Sequence, residues 1–407
     1  MKQHSFTSQL KSLAVVFGIA LTFASCSNED VAQNPTNPND DNDKNLTTFV
    51  AGDETKTRTS LDYNSSDFSW EAGDYGTATA TGAVGGSIFS FQLEHQPAYL
   101  VFQPYTSNTI LHNCYLTGVE VTSDNDIAET YTVNTSTGAI TGSAGGKKIV
   151  LTTKGGSNPN GFPLTNSSAS VTTNGAYMVI KPGTHTLKVR YWVKDNATGT
   201  EGTITKLLPS TAYASNTYYN LTANLNVKDY DGDHYYMWDA QEQYWKGHDW
   251  YISNPASQSC VTLPNANEMT WYAAKGDPRW DTDELWTTMG HLYKGGIWFK
   301  KKTNISGYDK NQAVDGTDWR TTKNNNSWSV SHSLPEAADA SNYFYLPALG
   351  EYDSGKLNFV GELGYYWSSS ANPKSSDGAY YLRLYNGDVY VSVEMRDFGF
   401  RVDPSFE

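Results

Sequence analysis

Apolar residues recur at every second position through much of this chain. Phe89, Phe91 and Leu93 do so, then Leu187, Val189, Tyr191 and Val193, then Leu221, Ala223, Leu225 and Val227. Period two marks strands that turn one face to a core, and the breaks between these runs are rich in Gly, Asn and Thr. The pattern predicts half-buried antiparallel strands across 46–226, opening with a short strand at LTTFVA, 46–51. It predicts no helix of useful length before residue 227. Beyond that point Asn265 and Glu268 have capping-box spacing, Met269, Tyr272 and Ala273 share one helical face, and Gly276 supplies a stop. A helix is expected there. Asp281 with Glu284 predicts a second short helix ending near Gly290. Aromatic strands follow, one at 379–384 and one in which Val389, Val391 and Val393 alternate.

Composition adds a boundary. Of the 12 Trp, only Trp70 and Trp192 precede residue 227, so a linker is placed at 227–234 and a second domain at 235–407. Charged residues are only 18% of the chain, beside 34 Gly and 28 Tyr, a balance that fits extracellular β-structure. A net charge of −14 argues against nucleic acid, which requires a basic face.

The start of the chain reads as a targeting segment. Lys2 and Lys11 flank a polar start, and the apolar run 13–23 is too short to span a bilayer. It ends in Ala24-Ser25-Cys26, which resembles a bacterial lipobox, with Phe23 where Leu is usual. The resemblance implies that 1–25 is a signal peptide, that Cys26 is lipidated, and that the protein is exported and lipid-anchored to the outer membrane. An ordinary secretory signal cut nearby is the alternative. Ser27-Asn28-Glu29-Asp30 is similar to the surface-export signal of Bacteroidota lipoproteins. Residues 26–45 are polar, with almost nothing to bury, and are expected to form a tether.

Two further resemblances cover most of what remains. In the front half, a Thr-Arg-Thr-Ser-Leu segment (57–61) leads to Trp70-Glu71-Ala72-Gly73-Asp74. AYLVFQPY, YTVNTSTG (131–138), YMVIKPG (177–183) and NTYYNLTANL (216–225) follow in order. This order resembles the fimbrillin-family pilins of Bacteroidota, the subunits of type V pili. It implies one or two transthyretin-like β-sandwiches over 46–226. It also implies assembly in which a protease of trypsin-like specificity removes the first strand and a neighbouring subunit's strand fills the gap. Leu46, Phe49 and Ala51 would belong to the removed strand, with Arg58 as the cut and Lys56 as second choice. An ordinary solvated basic residue is the competing reading of Arg58. In the back half, Leu346-Pro347-Ala348 with Gly350, then GYYWSS (364–369), the two strands above, and Arg396, Gly399, Phe400, Arg401, Val402 occur in sequence. They resemble the C-type-lectin-like modules at the C-terminus of Bacteroidota surface proteins, and imply an α+β recognition domain.

Candidate chemistry is sparse. Asp229, Asp231 and Asp233 alternate around Gly232 as in a calcium loop, but Ala240 stands where a bidentate Glu belongs, so a solvated linker competes with a cation site. Glu-Pro-Asn, Gln-Pro-Asp and Trp-Asn-Asp, the calcium-dependent sugar motifs of C-type lectins, are missing. Cys260 alone cannot supply the two-cysteine copper site of the formylglycine-generating enzymes that share this fold class. No metal-protease pair, nucleophile elbow or phosphate loop appears, while His248 and His291 read as packing or surface residues. Cys114 and Cys260 either pair or remain two buried thiols. Two or three of Trp238, Trp245, Trp280, Trp319 and Trp328 are expected on the surface.

The expectation is a mainly β, non-enzymatic adhesive subunit of a cell-surface fimbrium, at its tip, needing no metal or cofactor. Its partners would be other fimbrial subunits, the processing protease and a glycan or protein ligand. The C-terminal stretch is expected to be spent on a folded module, with no strand left to donate. A non-polymerising glycan-binding lipoprotein and a surface hydrolase are the alternatives.

Overall fold

The computed structural model describes residues 48–51, 76–77, 94–133, 140–156, 158–244, 255–403 and 406. The chain is mainly β and divides into two units. Residues up to Tyr191 together with Thr205–Asn226 form the first, and Trp192–Ile204 together with Val227–Glu407 form the second.

The chain opens with β1 (Thr48–Ala51), β2 (Gly76–Thr77), β3 (Glu94–His95), β4 (Ala98–Tyr105), β5 (Cys114–Ser123), β6 (Ala128–Val133), β7 (Ile140–Gly146), β8 (Lys148–Thr152) and β9 (Phe162–Pro163). A single helical turn, α1 (Val171–Asn174), then β10 (Ala176–Ile180), β11 (Gly183–Asp195), β12 (Glu201–Tyr213) and β13 (Tyr218–Asn224) complete this stretch. In the first unit β1, β13, β4 and β10 form one sheet in that order. A second run places β12, β11, β5 and β8 side by side, with β9 also on β5. The core is the alternating set read from the sequence: Leu187, Val189, Tyr191, Leu221 and Ala223 are all buried. Phe102 of the first sheet meets Tyr191 of the second edge-on, with ring centroids 6.1 Å apart.

Two expectations fail here. The strands are not uniformly antiparallel, because β13 runs parallel to β4 from Tyr218 opposite Tyr99 to Asn224 opposite Tyr105. Nor are β11 and β12 half-buried, since Lys188, Arg190 and Thr205 on their polar faces are buried too, with their polar groups engaged. Alternation marks which face is apolar. It does not say that the other face meets water.

The second unit carries β14 (Tyr235–Tyr236), α2 (Ala266–Lys275), β15 (Arg279–Thr288), β16 (His291–Lys300), β17 (Asn326–Ser329), β18 (Tyr343–Pro347), β19 (Glu351–Asp353), β20 (Lys356–Asn358), β21 (Gly364–Ala371), β22 (Gly378–Leu384), β23 (Asp388–Met395) and β24 (Phe400–Arg401). A six-stranded sheet runs β14-β24-β21-β22-β23-β17. The β15–β16–β18 meander meets the end of β12, where Thr203 pairs in parallel with Glu284. α2 lies where its capping box predicts: the Asn265 side chain accepts from the Glu268 amide and the Glu268 carboxylate accepts from the Asn265 amide. It buries Met269, Tyr272 and Ala273. Asn265→Ala removes half of this reciprocal cap and is expected to cost about 1 kcal/mol, read as a lower denaturant midpoint in Trp fluorescence. An unchanged midpoint would show that the cap contributes nothing.

The expected second helix is a strand. Asp281 and Glu284 sit inside β15, at the register shift between Asp281 and Leu285. Asp281 Oδ1 accepts from the Asp283 and Glu284 amides, closing a local turn within the strand. The same side-chain chemistry that caps helices stabilises this bulge. The aromatic and β-branched residues around it, Trp280, Trp286, Thr287 and Thr288, favour a pleated, packed strand.

Candidate functional site

β1 is the edge strand of the first sheet. It lies antiparallel on β13, with Thr48 opposite Thr222, Phe49 opposite Leu221, Val50 opposite Asn220 and Ala51 opposite Tyr219. Directly opposed residues share a face. Phe49 and Ala51 therefore take the register of Leu221 and Tyr219, which are buried, and Val50 takes that of Asn220. Without β1, the β13 backbone would present unpaired N–H and C=O groups beside that apolar side. Cys26, Leu46, Lys56 and Arg58 lie outside the described residues, as do Phe89, Phe91 and Leu93.

In the second unit, one face of β21–β22–β23 combines aromatic rings with carboxylates. Tyr365 is opposite Arg383, and Trp367 is opposite Tyr381. Ala379 is opposite Glu394, Tyr381 opposite Ser392, and Arg383 opposite Tyr390. The Tyr365 and Tyr381 rings stack at 6.1 Å, and Phe400 lies 5.0 Å from the first and 5.1 Å from the second. Arg383 is held by Asp388 at 3.0 Å and lies over Tyr390 at 5.2 Å. Trp238, Leu263 and Cys260 cover the Trp367 end of this face, and Tyr365 and Tyr390 are partly open.

β19 brings a further carboxylate to the same place. Its Tyr352 backbone pairs with Gly399, next to Phe400, and its Tyr352 ring packs on Tyr235. Period two puts Glu351 and Asp353 on the opposite side of β19 from that ring. Glu351 is 8% exposed, and no hydrogen bond or ion pair to its carboxylate occurs among the described residues. Burial, followed by the charges of Asp353 and Glu394, pushes its carboxyl up to about 7. Burial and the charge of Glu351 push the Tyr365 phenol up to about 12, with Arg383 pulling the other way and Glu394 adding to the rise. Glu351 and Glu394 went unnoticed in the sequence. The available signal was the outward series of Tyr381, Arg383 and Tyr385, then Tyr390, Ser392 and Glu394, on strands whose inward series is wholly apolar.

The other sequence candidates are distributed differently. Asp229 accepts from the Thr287 hydroxyl, and Asp231 accepts from His234 Nδ1 at 2.7 Å and from the Asp233 amide. Burial pulls the Asp231 carboxyl upward, but those bonds outweigh it and hold it below its usual range. Asp231, Asp233 and His234 are the described group close enough to share an ion, with potential ligand atoms within 4.8 Å of one another. Arg401 stands 3.8 Å from the same Asp231 oxygen, which disfavours a cation there. The segment is not a solvated linker throughout, because Tyr230 is buried and its amide bonds to the Thr287 carbonyl.

Cys114 and Cys260 are both buried thiols that do not pair in a disulfide, and burial pushes the Cys260 thiol up to about 12. His291 is exposed beside Tyr293; His248 lies outside the described residues. The expectation of exposed Trp fails for Trp238, Trp280 and Trp319, which are buried, and Trp328 is half-buried against the core. Trp245 lies outside the described residues. Large aromatic side chains fill this unit's interior, so composition overstated its surface. Among the described residues no helix is long and apolar enough to cross a membrane. No family model, no curated protein and no solved structure matches the chain.

Proposed function

We propose that this chain is a lipid-anchored cell-surface fimbrial subunit that accepts a donor strand from a neighbouring pilin and occupies the fimbrium tip. In this reading the first unit is a fimbrillin-like β-sandwich and the second a C-type-lectin-like recognition domain. The observation that carries it is the edge placement of β1, four residues in register on β13, with the buried Leu221 and Tyr219 opposite Phe49 and Ala51. A segment so placed leaves, when cut away, a slot that another strand of like register can fill. The tip position draws on the other end. β24 is inside the six-stranded sheet between β14 and β21, and Phe406 packs in the core against Tyr272, Phe344 and Tyr366. Phe400, Arg401 and Phe406 are thereby engaged within the second unit, which supports a tip position over one that donates these residues as a strand.

The test is N-terminal sequencing of the protein recovered from fimbriae. The expected start is Thr59, after Arg58, or Thr57, after Lys56. A start at Cys26 in polymer would overturn the processing step. Immunogold labelling with an antibody to 235–407 is expected at fibre ends. Label along shafts would reject the tip position, and diffuse surface label would favour a non-polymerising glycan-binding lipoprotein.

A further inference from the structure

The chain holds three Asn-Gly pairs, Asn160-Gly161, Asn174-Gly175 and Asn386-Gly387. At such a pair a side-chain amide can react with its own backbone. The glycine nitrogen attacks the Asn Cγ, and with no Cβ on the glycine nothing crowds the approach. The attack requires an Asn side chain free to swing, a glycine N–H that is not engaged in a hydrogen bond, and access for water. The sequence treats the three pairs alike. The fold does not.

Asn174 fails every requirement. It is 1% exposed, its Nδ2 donates to Asn166 Oδ1, and the Gly175 amide donates to the Val171 carbonyl at 3.0 Å. Asn160 is exposed, but the Gly161 amide donates to the Asn158 carbonyl at 3.0 Å, and Gly161 is packed against the Leu116 carbonyl. Asn386 meets all three. Asn386 and Gly387 are the tip of the β22–β23 hairpin, closed by the Tyr385 amide donating to the Asp388 carbonyl at 3.0 Å. Both residues are exposed. Neither the Asn386 side chain nor the Gly387 amide has a hydrogen-bond partner among the described residues. A Cβ on Gly387 would meet nothing closer than the Tyr385 ring at 3.7 Å, so the space beside it is open. Neither residue takes a positive φ, so the pair is not held in the mirror-image turn that Asn-Gly favours in hairpins.

We propose that Asn386 is a modification site, at which the folded chain converts its own Asn386 to aspartate and isoaspartate without an enzyme. The Gly387 nitrogen gives up its proton and bonds to Asn386 Cγ. The Cγ–Nδ2 bond breaks, Nδ2 leaves as ammonia, and a five-membered succinimide remains. Water then opens the ring at either carbonyl. Opening at Cγ restores the ordinary backbone with an Asp side chain. Opening at the main-chain carbonyl leaves isoaspartate, with the chain running through Cγ. Nothing is oxidised or reduced, and water is the one co-reactant. Either product places a new negative charge at the hairpin tip, next to the pair in which Asp388 holds Arg383 at 3.0 Å. The isoaspartyl product also adds one atom to the backbone of a tight loop. Because the step needs only water and time, the mark records how long a folded chain has stood exposed. It does not depend on the fimbrial reading.

The experiment is incubation of the purified full chain at pH 6 and pH 8, with peptide mapping by mass spectrometry at intervals. The peptide carrying Asn386 is expected to gain the mass of an –NH2 to –OH exchange and to split into two isomeric products. The isoaspartyl product is the one labelled by an isoaspartyl methyltransferase. Conversion is expected to be faster at pH 8, since the attacking nitrogen must lose its proton. Asn386 should react about tenfold or more faster than Asn160 and Asn174, which must wait for local opening. In the urea-unfolded chain the three are expected to react at similar rates, which assigns the difference to the fold. Asn386→Gln should abolish the product, and Gly387→Ala should slow it several-fold by the added Cβ. Circular dichroism of both variants is expected to match the wild type, because neither side chain is packed. Equal native rates at the three sites would overturn the proposal, as would Asn160 or Asn174 reacting ahead of Asn386. An undiminished rate in Gly387→Ala, with the fold intact, would overturn the attack by the Gly387 nitrogen.

Discussion

A chain beginning at Thr59 is expected to unfold its first unit at a lower denaturant concentration than the longer chain, and a free LTTFVA peptide is expected to restore the midpoint. The argument starts from register. β1 supplies four paired positions at the open edge of β13, and among the described strands β13 is otherwise paired with β4 alone. Each backbone hydrogen bond lost contributes about 0.5–1.5 kcal/mol, and each large apolar side chain uncovered about 1.5–3 kcal/mol. Leu221 and Tyr219 lie next to the edge that trimming opens. A loss of roughly 3–5 kcal/mol follows from these magnitudes. Peptide at a hundred times its dissociation constant returns about 2.7 kcal/mol by mass action. Register also dictates which peptide positions matter. An Asp at the position of Phe49, opposite Leu221, should abolish rescue, while one at Val50, opposite Asn220, should be tolerated. Urea titration followed by circular dichroism reads both effects. If the midpoint neither falls on trimming nor rises with peptide, β1 is not a replaceable strand.

Glu351→Gln is expected to stabilise the second unit at pH 8 and to do nothing at pH 4.5. The Glu351 carboxyl is raised from an ordinary 4.5 to about 7 by burial and by the charges of Asp353 and Glu394. A raised acid is uncomfortable as a carboxylate in the folded state. Its penalty is absent below pH 4.5, where folded and unfolded chains are both protonated. The penalty grows as pH rises from 4.5 to 7, where the unfolded chain alone has released its proton, and is full above 7. The span amounts to about 3 kcal/mol at most, or roughly 6–12 °C in melting temperature for a unit of this size. Scanning calorimetry with Trp fluorescence reads it, since Trp is concentrated in this unit. Equal melting of wild type and variant at pH 8 would show that Glu351 is compensated.

Much of the local structure was legible because its causes are local. The α2 capping box needs Asn265, Glu268 and the backbone between them, and it formed where they stand. Alternating Leu187, Val189 and Tyr191 gave a strand with a buried face for the same reason. The misreadings came where one local pattern serves two structures. Asp281 and Glu284 have helix-cap spacing, but an Asp that binds the amides two and three residues ahead can equally close a bulge in a strand. The choice fell to the pairing of β15 with β16, which lies outside any short window. Trp238 and Trp319 were legible as aromatic anchors but not as interior ones, because burial depends on which segments fold over them.

By itself, the order of residues determined a mainly β chain, the position of its capped helix, the change of character at residue 227 and the presence of a strand at the start of the first unit. Those follow from side-chain period and backbone preference, which act over a few residues. Only the tertiary structure decided that β1 takes the edge of β13, that β13 runs parallel to β4, and that Glu351 lies within reach of the Glu394 charge. Each of these joins segments far apart in the chain. Such meetings are chosen by the burial of a whole core, a sum to which no single stretch holds the terms.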